Sequence, residues 1–112
     1  MTIDKFFEHY EILTKRKEYI LKSKNHDYAK STDMFSNFRK VADISNQSIS
    51  KVFMVFMAVK IARLGELTTE KTPNNESVED TLLDLSNYAD LFNIFLKENI
   101  KDKDIDDYNM VN

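Results

Sequence analysis

Apolar residues recur along the first two dozen positions as Ile3, Phe6, Phe7, Tyr10, Leu13, Ile20 and Leu21. That spacing, close to 3.6 residues, predicts an amphipathic helix from Thr2 to about Lys24, with Thr2 placed to cap it. The pattern breaks at "NHDYAKSTD", rich in Asn, Asp and Ser, which reads as a loop. It resumes in "MFSNFRKVADI", a short helical segment with Phe35, Phe38, Val41 and Ile44 on its inner side. "SNQSISKVFMVFMAVKIARLGEL" then offers several Ser and Asn caps and predicts a third helix ending at Gly65 or Leu67. This helix is apolar on most sides between Val52 and Val59, which predicts a central position. Its run "VFMVFMAV" alone also suits a buried strand, but the continuation through "KIARLGEL" and the lack of partner strands select helix. "TTEKTPNNE", with the only Pro, is a loop. "SVEDTLLDLSNYADL" opens a fourth helix in which Ser77 and Asp80 stand in the relation of a capping box. Its apolar positions run through Leu82, Leu85, Tyr88, Ala89, Phe92 and Phe95 to about Glu98.

Four helical segments joined by short loops predict an all-α protein, a small antiparallel four-helix bundle over residues 1–98. A chain this short with so apolar a third helix is expected to complete its core in a homodimer or higher homo-oligomer. Residues 99–112 are charged and lack sustained periodicity, so they read as a tail, a frayed helix end, or an arm that orders on a partner.

Composition narrows this picture. With 112 residues there is room for one domain and one modest core. A single Gly and a single Pro leave few of the tight turns an all-β fold needs. No cysteine means no disulfide and no thiolate metal site, which suits a reducing cytoplasm. The first residues lack the basic and apolar regions of a signal peptide, and no window approaches the length of a membrane span, so a soluble cytoplasmic protein is expected. The net charge of −3 hides an asymmetry: residues 1–75 hold 13 basic side chains against 9 acidic, and residues 76–112 hold 3 against 10. The basic run "TKRK" is read as a solvated helix face. Direct nucleic-acid binding is not expected of a chain with this acidic balance.

Candidate chemistry concentrates on the fourth helix. Asp80, Asp84 and Asn87 fall at i, i+4 and i+7 and project from one face. In the ordinary reading Asp80 serves the helix start, Asp84 is exposed and Asn87 lies on the surface. In the sharper reading the carboxylates bind a hard cation such as Mg²⁺, whose other positions are filled by water and substrate phosphate. Lys60, Arg63 and Glu66 interrupt the apolar surface of the third helix at i, i+3 and i+6. The two basic stems either pack while their heads reach water, or the heads neutralise Asp84 or hold nucleotide phosphates. A third cluster, His26, Asp27, Tyr28, Asn37 and Phe38, offers ring faces and polar edges for a base, or a cap and core residues. With His9 the only other histidine, "HD" does not make a metal-phosphohydrolase site.

Taken together, "NHDYA", "SNF", "MAVKIARLGEL" and "SVEDTLLDLSNYADL" resemble the nucleotide modification associated domain 1 family of phages and bacteria. That family is similar to the all-α NTP pyrophosphohydrolases of the MazG and dimeric dUTPase type. The likeness runs from about Lys24 to Leu96, with "EDTLLDLSNYA" its most specific part. It implies a MazG-like fold and a Mg²⁺-dependent nucleoside or deoxynucleoside triphosphate pyrophosphohydrolase in a bacterial or phage-infected cell. Glu79, Asp80 and Asp84 are then the metal ligands, with Asp80 and Asp84 catalytic. Lys60, Arg63, Asn87, Asp27, Tyr28 and Asn37 are then candidates for holding the nucleotide. Two departures are plain: the third helix carries Lys60, Arg63 and Glu66 where such enzymes carry a paired-glutamate motif, and Asp80 and Asp84 stand four apart rather than three. They open a second reading, a non-catalytic nucleotide-binding or nucleotide-sequestering protein, for example in phage anti-defence. The charge asymmetry and the aperiodic acidic end open a third, a helical protein-binding module.

Overall fold

The Thr2 side chain accepts a hydrogen bond from the Lys5 amide at 3.1 Å and so starts α1, Ile3–Ser23, as its cap. The computed structural model of the protein describes residues 1–25, 32–69 and 75–98. It contains three more helices, α2 (Ser36–Ser45), α3 (Ile49–Thr68) and α4 (Asn75–Glu98), and no strand among the described residues. The all-helical expectation is therefore met. By its internal contacts the chain separates into two compact units, Met1–Ile49 and Ser50–Asn112.

In the first unit, α1 is amphipathic as its spacing predicts, yet none of its residues is buried. Phe6, Phe7 and Tyr10 are each more than half exposed, and their rings cluster with one another at centroid separations of 5.2 to 6.4 Å. Asp33 organises the entry to α2. One carboxylate oxygen accepts the Phe35 amide at 3.0 Å, and the other accepts the Arg39 guanidinium at 2.9 Å. The Phe35 amide first, and the Arg39 guanidinium after it, hold this carboxyl below its usual range. The buried face of α2 comprises Phe38 and Ala42, with Phe35 buried just before the helix, whereas Ile44 is 77% exposed. The expected inner position of Ile44 is thus corrected: a residue two positions beyond Ala42 is turned by about 200° around the helix.

α2 stops at Asn46, whose φ of 56° is left-handed, a conformation Asn tolerates better than most side chains. The Gln47 amide donates to the Ala42 carbonyl at 3.0 Å and the Asn46 amide to Asp43 at 3.3 Å, the paired bonds of a Schellman ending. α3 begins directly after Ser48, within the predicted group of Ser and Asn caps.

The second unit is the hairpin of α3 and α4. Phe53 lies against Phe92 and Phe95 (5.0 and 5.8 Å between centroids) and Phe56 against Tyr88 (5.8 Å). Partners on α4 move toward its N-terminus as α3 advances, so the two helices are antiparallel. Val52, Phe53, Leu83, Leu91 and Phe95 are buried. The predicted inward Leu82 is instead 49% exposed, and its neighbour Leu83 takes the interior place. α3 is only partly enclosed, because Met54, Val55, Val59 and Ile61 are exposed. It ends at Thr68, one residue past the expected Leu67. The Thr68 hydroxyl donates to the Leu64 carbonyl at 2.8 Å, and the Thr69 hydroxyl and amide both donate to the Glu66 carbonyl, at 2.9 and 3.3 Å. The start of α4 corrects another expectation. The helix already runs from Asn75, so Ser77 belongs to its first turn and is not the cap of a box with Asp80. No helix among the described residues is long and apolar enough to cross a membrane.

Candidate functional site

Toward the loop end of the second unit, the aromatic layers of the hairpin give way to charge. One turn beyond Phe56, Lys60 on α3 meets Asp84 on α4, with Nζ 3.1 Å from Oδ2. Both side chains are largely enclosed, 25% and 20% exposed. A turn further along α3, the Arg63 Nε donates to the Thr81 hydroxyl at 3.3 Å, and that hydroxyl donates in turn to the Ser77 carbonyl at 2.7 Å. Thr81 is 3% exposed, so Arg63 reaches a buried oxygen while its residue as a whole stays exposed. Cations at i and i+3 on α3 therefore face the second and third turns of α4.

Packing decides several roles that the sequence left open. Asn87 is 2% exposed, and no buried side-chain nitrogen or oxygen among the described residues lacks a hydrogen-bond partner. The surface reading of Asn87 is thereby overturned: it is an interior anchor one turn from Asp84. Asp84 is also not the exposed carboxylate of the ordinary reading. Glu79 and Asp80 stay exposed on α4, outside the enclosed pair. Asn37 lies half-buried on α2 in the first unit. His26, Asp27, Tyr28 and residues 99–112 lie outside the described residues. Thr81 was missed by sequence reasoning. A lone threonine among leucines carries no signal until Arg63, 18 residues away, is seen to bond to it.

Whether these residues make a Mg²⁺ centre is a question of donors. Magnesium wants one or two carboxylates with open lone pairs, completed by water and phosphate. An oxygen of Asp84 is taken by the Lys60 ammonium, and the described residues contain no group of three or more His, Cys, Asp or Glu side chains placed to hold a metal.

Tyr88, packed on Phe56 one turn from Asp84, is the titrating reporter of this region. Its phenol is pushed above its ordinary 10.0, chiefly by burial and secondarily by the negative charge of Asp84. The folded protein then keeps the phenol proton to higher pH than the unfolded chain does. This part of the stability is fully present below pH 10 and is lost as pH rises through the folded value. Urea unfolding followed by circular dichroism should show a midpoint that falls on the alkaline side of pH 10, with a shallower fall in Tyr88→Phe. Parallel curves for the two proteins would count against the shift.

Comparison with known proteins found no matching family model, no matching curated protein and no matching solved structure. The resemblance over residues 24–96 therefore rests on the residue patterns themselves.

Proposed function

We propose that the protein binds the phosphate groups of a nucleotide at Lys60 and Arg63 and holds the ligand without cleaving it. One observation carries this reading: the Lys60 ammonium occupies the Asp84 carboxylate at 3.1 Å, where a pyrophosphohydrolase would present that carboxylate to Mg²⁺. The resemblance to the nucleotide modification associated domain 1 family supplies the ligand class, and the MazG-like likeness suits a helical scaffold. The site supplies a lysine already balanced by a buried-side carboxylate and an arginine anchored through Nε, whose remaining guanidinium donors match phosphate oxygens. An arriving phosphate exchanges with Asp84 for the Lys60 ammonium. Affinity is therefore set by a competition between two anions for one cation.

Isothermal titration of the whole protein with a panel of canonical and modified nucleoside triphosphates, with and without Mg²⁺, tests the proposal. Expected are stoichiometric binding of at least one of them, no pyrophosphate release on prolonged incubation, and at least a tenfold loss of affinity in Arg63→Ala. Pyrophosphate release that requires Mg²⁺ and Asp84 would establish the hydrolase reading in its place. Absence of binding across the panel would remove the nucleotide altogether.

A further inference from the structure

The unburied face of α1 has a regular geometry of its own. Ile3, Phe6, Tyr10, Leu13, Lys17 and Ile20 follow one another at alternating spacings of three and four residues, the seam of a two-helix coiled coil. Ile3 is 77% exposed, Tyr10 55%, Phe6 51% and Leu13 41%, with Phe7 and its 59% exposure flanking the seam. Side chains of this kind do not gain from facing water, and the aromatic cluster of Phe6, Phe7 and Tyr10 is already assembled on the helix.

Charge along the same helix identifies the occupant. The first half, residues 3–12, carries Asp4, Glu8 and Glu11 against Lys5. The second half, residues 13–24, carries Lys15, Arg16, Lys17, Lys22 and Lys24 against Glu18. A helix acidic in one half and basic in the other is complementary to itself when turned end for end. Antiparallel pairing also opposes the two helix dipoles, whereas parallel pairing would set the two basic halves side by side. We propose that α1 pairs antiparallel with α1 of a second copy of this chain about a two-fold axis, Tyr10 packing on the second copy's Leu13 and Ile3 on its Ile20.

The area is sufficient for a modest dimer. Three half-exposed rings with Ile3 and Leu13 offer on the order of 500 Å² of apolar surface per copy, against ~800 Å² per partner in a standard interface. The stem of Lys17 within the seam and that of Arg16 beside it add to the apolar surface. The pairing uses only the first unit and is independent of the nucleotide site.

Sedimentation velocity of the full chain over a range of concentrations tests it, with Phe6→Asp and Tyr10→Asp as variants whose helix content is checked by circular dichroism. The chain has no cysteine, so single introduced thiols report orientation. An equimolar mixture of Ile3→Cys and Ile20→Cys should oxidise to a mixed disulfide-linked dimer, with little linkage of Ile3→Cys to itself. Expected are a dimer that dissociates on dilution and monomeric aspartate variants of undiminished helicity. A monomer at every concentration would overturn the proposal. So would preferential self-linkage of Ile3→Cys, which signals parallel helices. A dimer untouched by Phe6→Asp would overturn it as well, by placing the interface elsewhere, for example on the exposed Met54, Val55 and Val59 of α3.

Discussion

Phe53→Ala lowers the stability of the α3–α4 hairpin by about 3–5 kcal/mol, the cost of emptying a fully enclosed aromatic site. Phe53 is 0% exposed, stacks on Phe92 with ring planes within 8° of parallel, and meets the tilted ring of Phe95. Two contributions combine. Burial of the ring is lost, and so are aromatic pairings worth about 0.5–1.5 kcal/mol each beyond area alone. Against a total stability of about 5–15 kcal/mol for a domain of this kind, such a loss is decisive. Val59→Ala, on the same helix but 59% exposed, should change stability by no more than about 0.5 kcal/mol. Urea denaturation measures both. A loss below about 1 kcal/mol for Phe53→Ala would mean that the hairpin core is not organised around this ring.

How far the sequence reveals this arrangement depends on what kind of fact is asked of it. Thr2 as a cap and the four helices are local properties, readable from periodicity and from side chains that bond to nearby backbone. Which apolar residue faces inward is less legible, since neighbours on a helix differ by only about 100°. Leu82 and Leu83 exchange places when the stripe rotates by that one step, and only the packed partner fixes it. Least legible is whether an apolar face has anything to cover it. The spacing of Ile3, Phe6, Tyr10 and Leu13 is that of a core helix, yet the chain buries none of α1.

The site shows the same gradation. The oddity of Lys60 and Arg63 within an apolar helix, and of Asp84 among leucines, is visible in the sequence, as is the possibility that Lys60 neutralises Asp84. That they meet at 3.1 Å follows from the register of two helices joined through a loop. Asn87 and Thr81 could not be read as interior, because the burial of a polar group depends on partners supplied by packing.

The second large effect follows from that ion pair. If Asp84 and phosphate compete for the Lys60 ammonium, removing the carboxylate's charge frees the lysine and removes a repulsion from the incoming anion. Unit charges ~4 Å apart interact by about 4 kcal/mol in a medium of effective dielectric 20, and partial exposure of the pair reduces this to ~1–2 kcal/mol. Asp84→Asn should therefore tighten nucleotide binding by roughly tenfold, since ~1.4 kcal/mol is one decade. The effect should shrink as salt is added, because the competition is electrostatic. In a metal-dependent hydrolase the same substitution has the opposite sign, since it removes the ligand through which Mg²⁺ and its phosphate are held.

The most direct measurement is accordingly the affinity of Asp84→Asn relative to the unaltered protein for a triphosphate that the unaltered protein binds, titrated at low ionic strength both with and without Mg²⁺. Tighter binding by about an order of magnitude is the outcome predicted for a phosphate cradle balanced by Asp84. Weaker or abolished binding would contradict it.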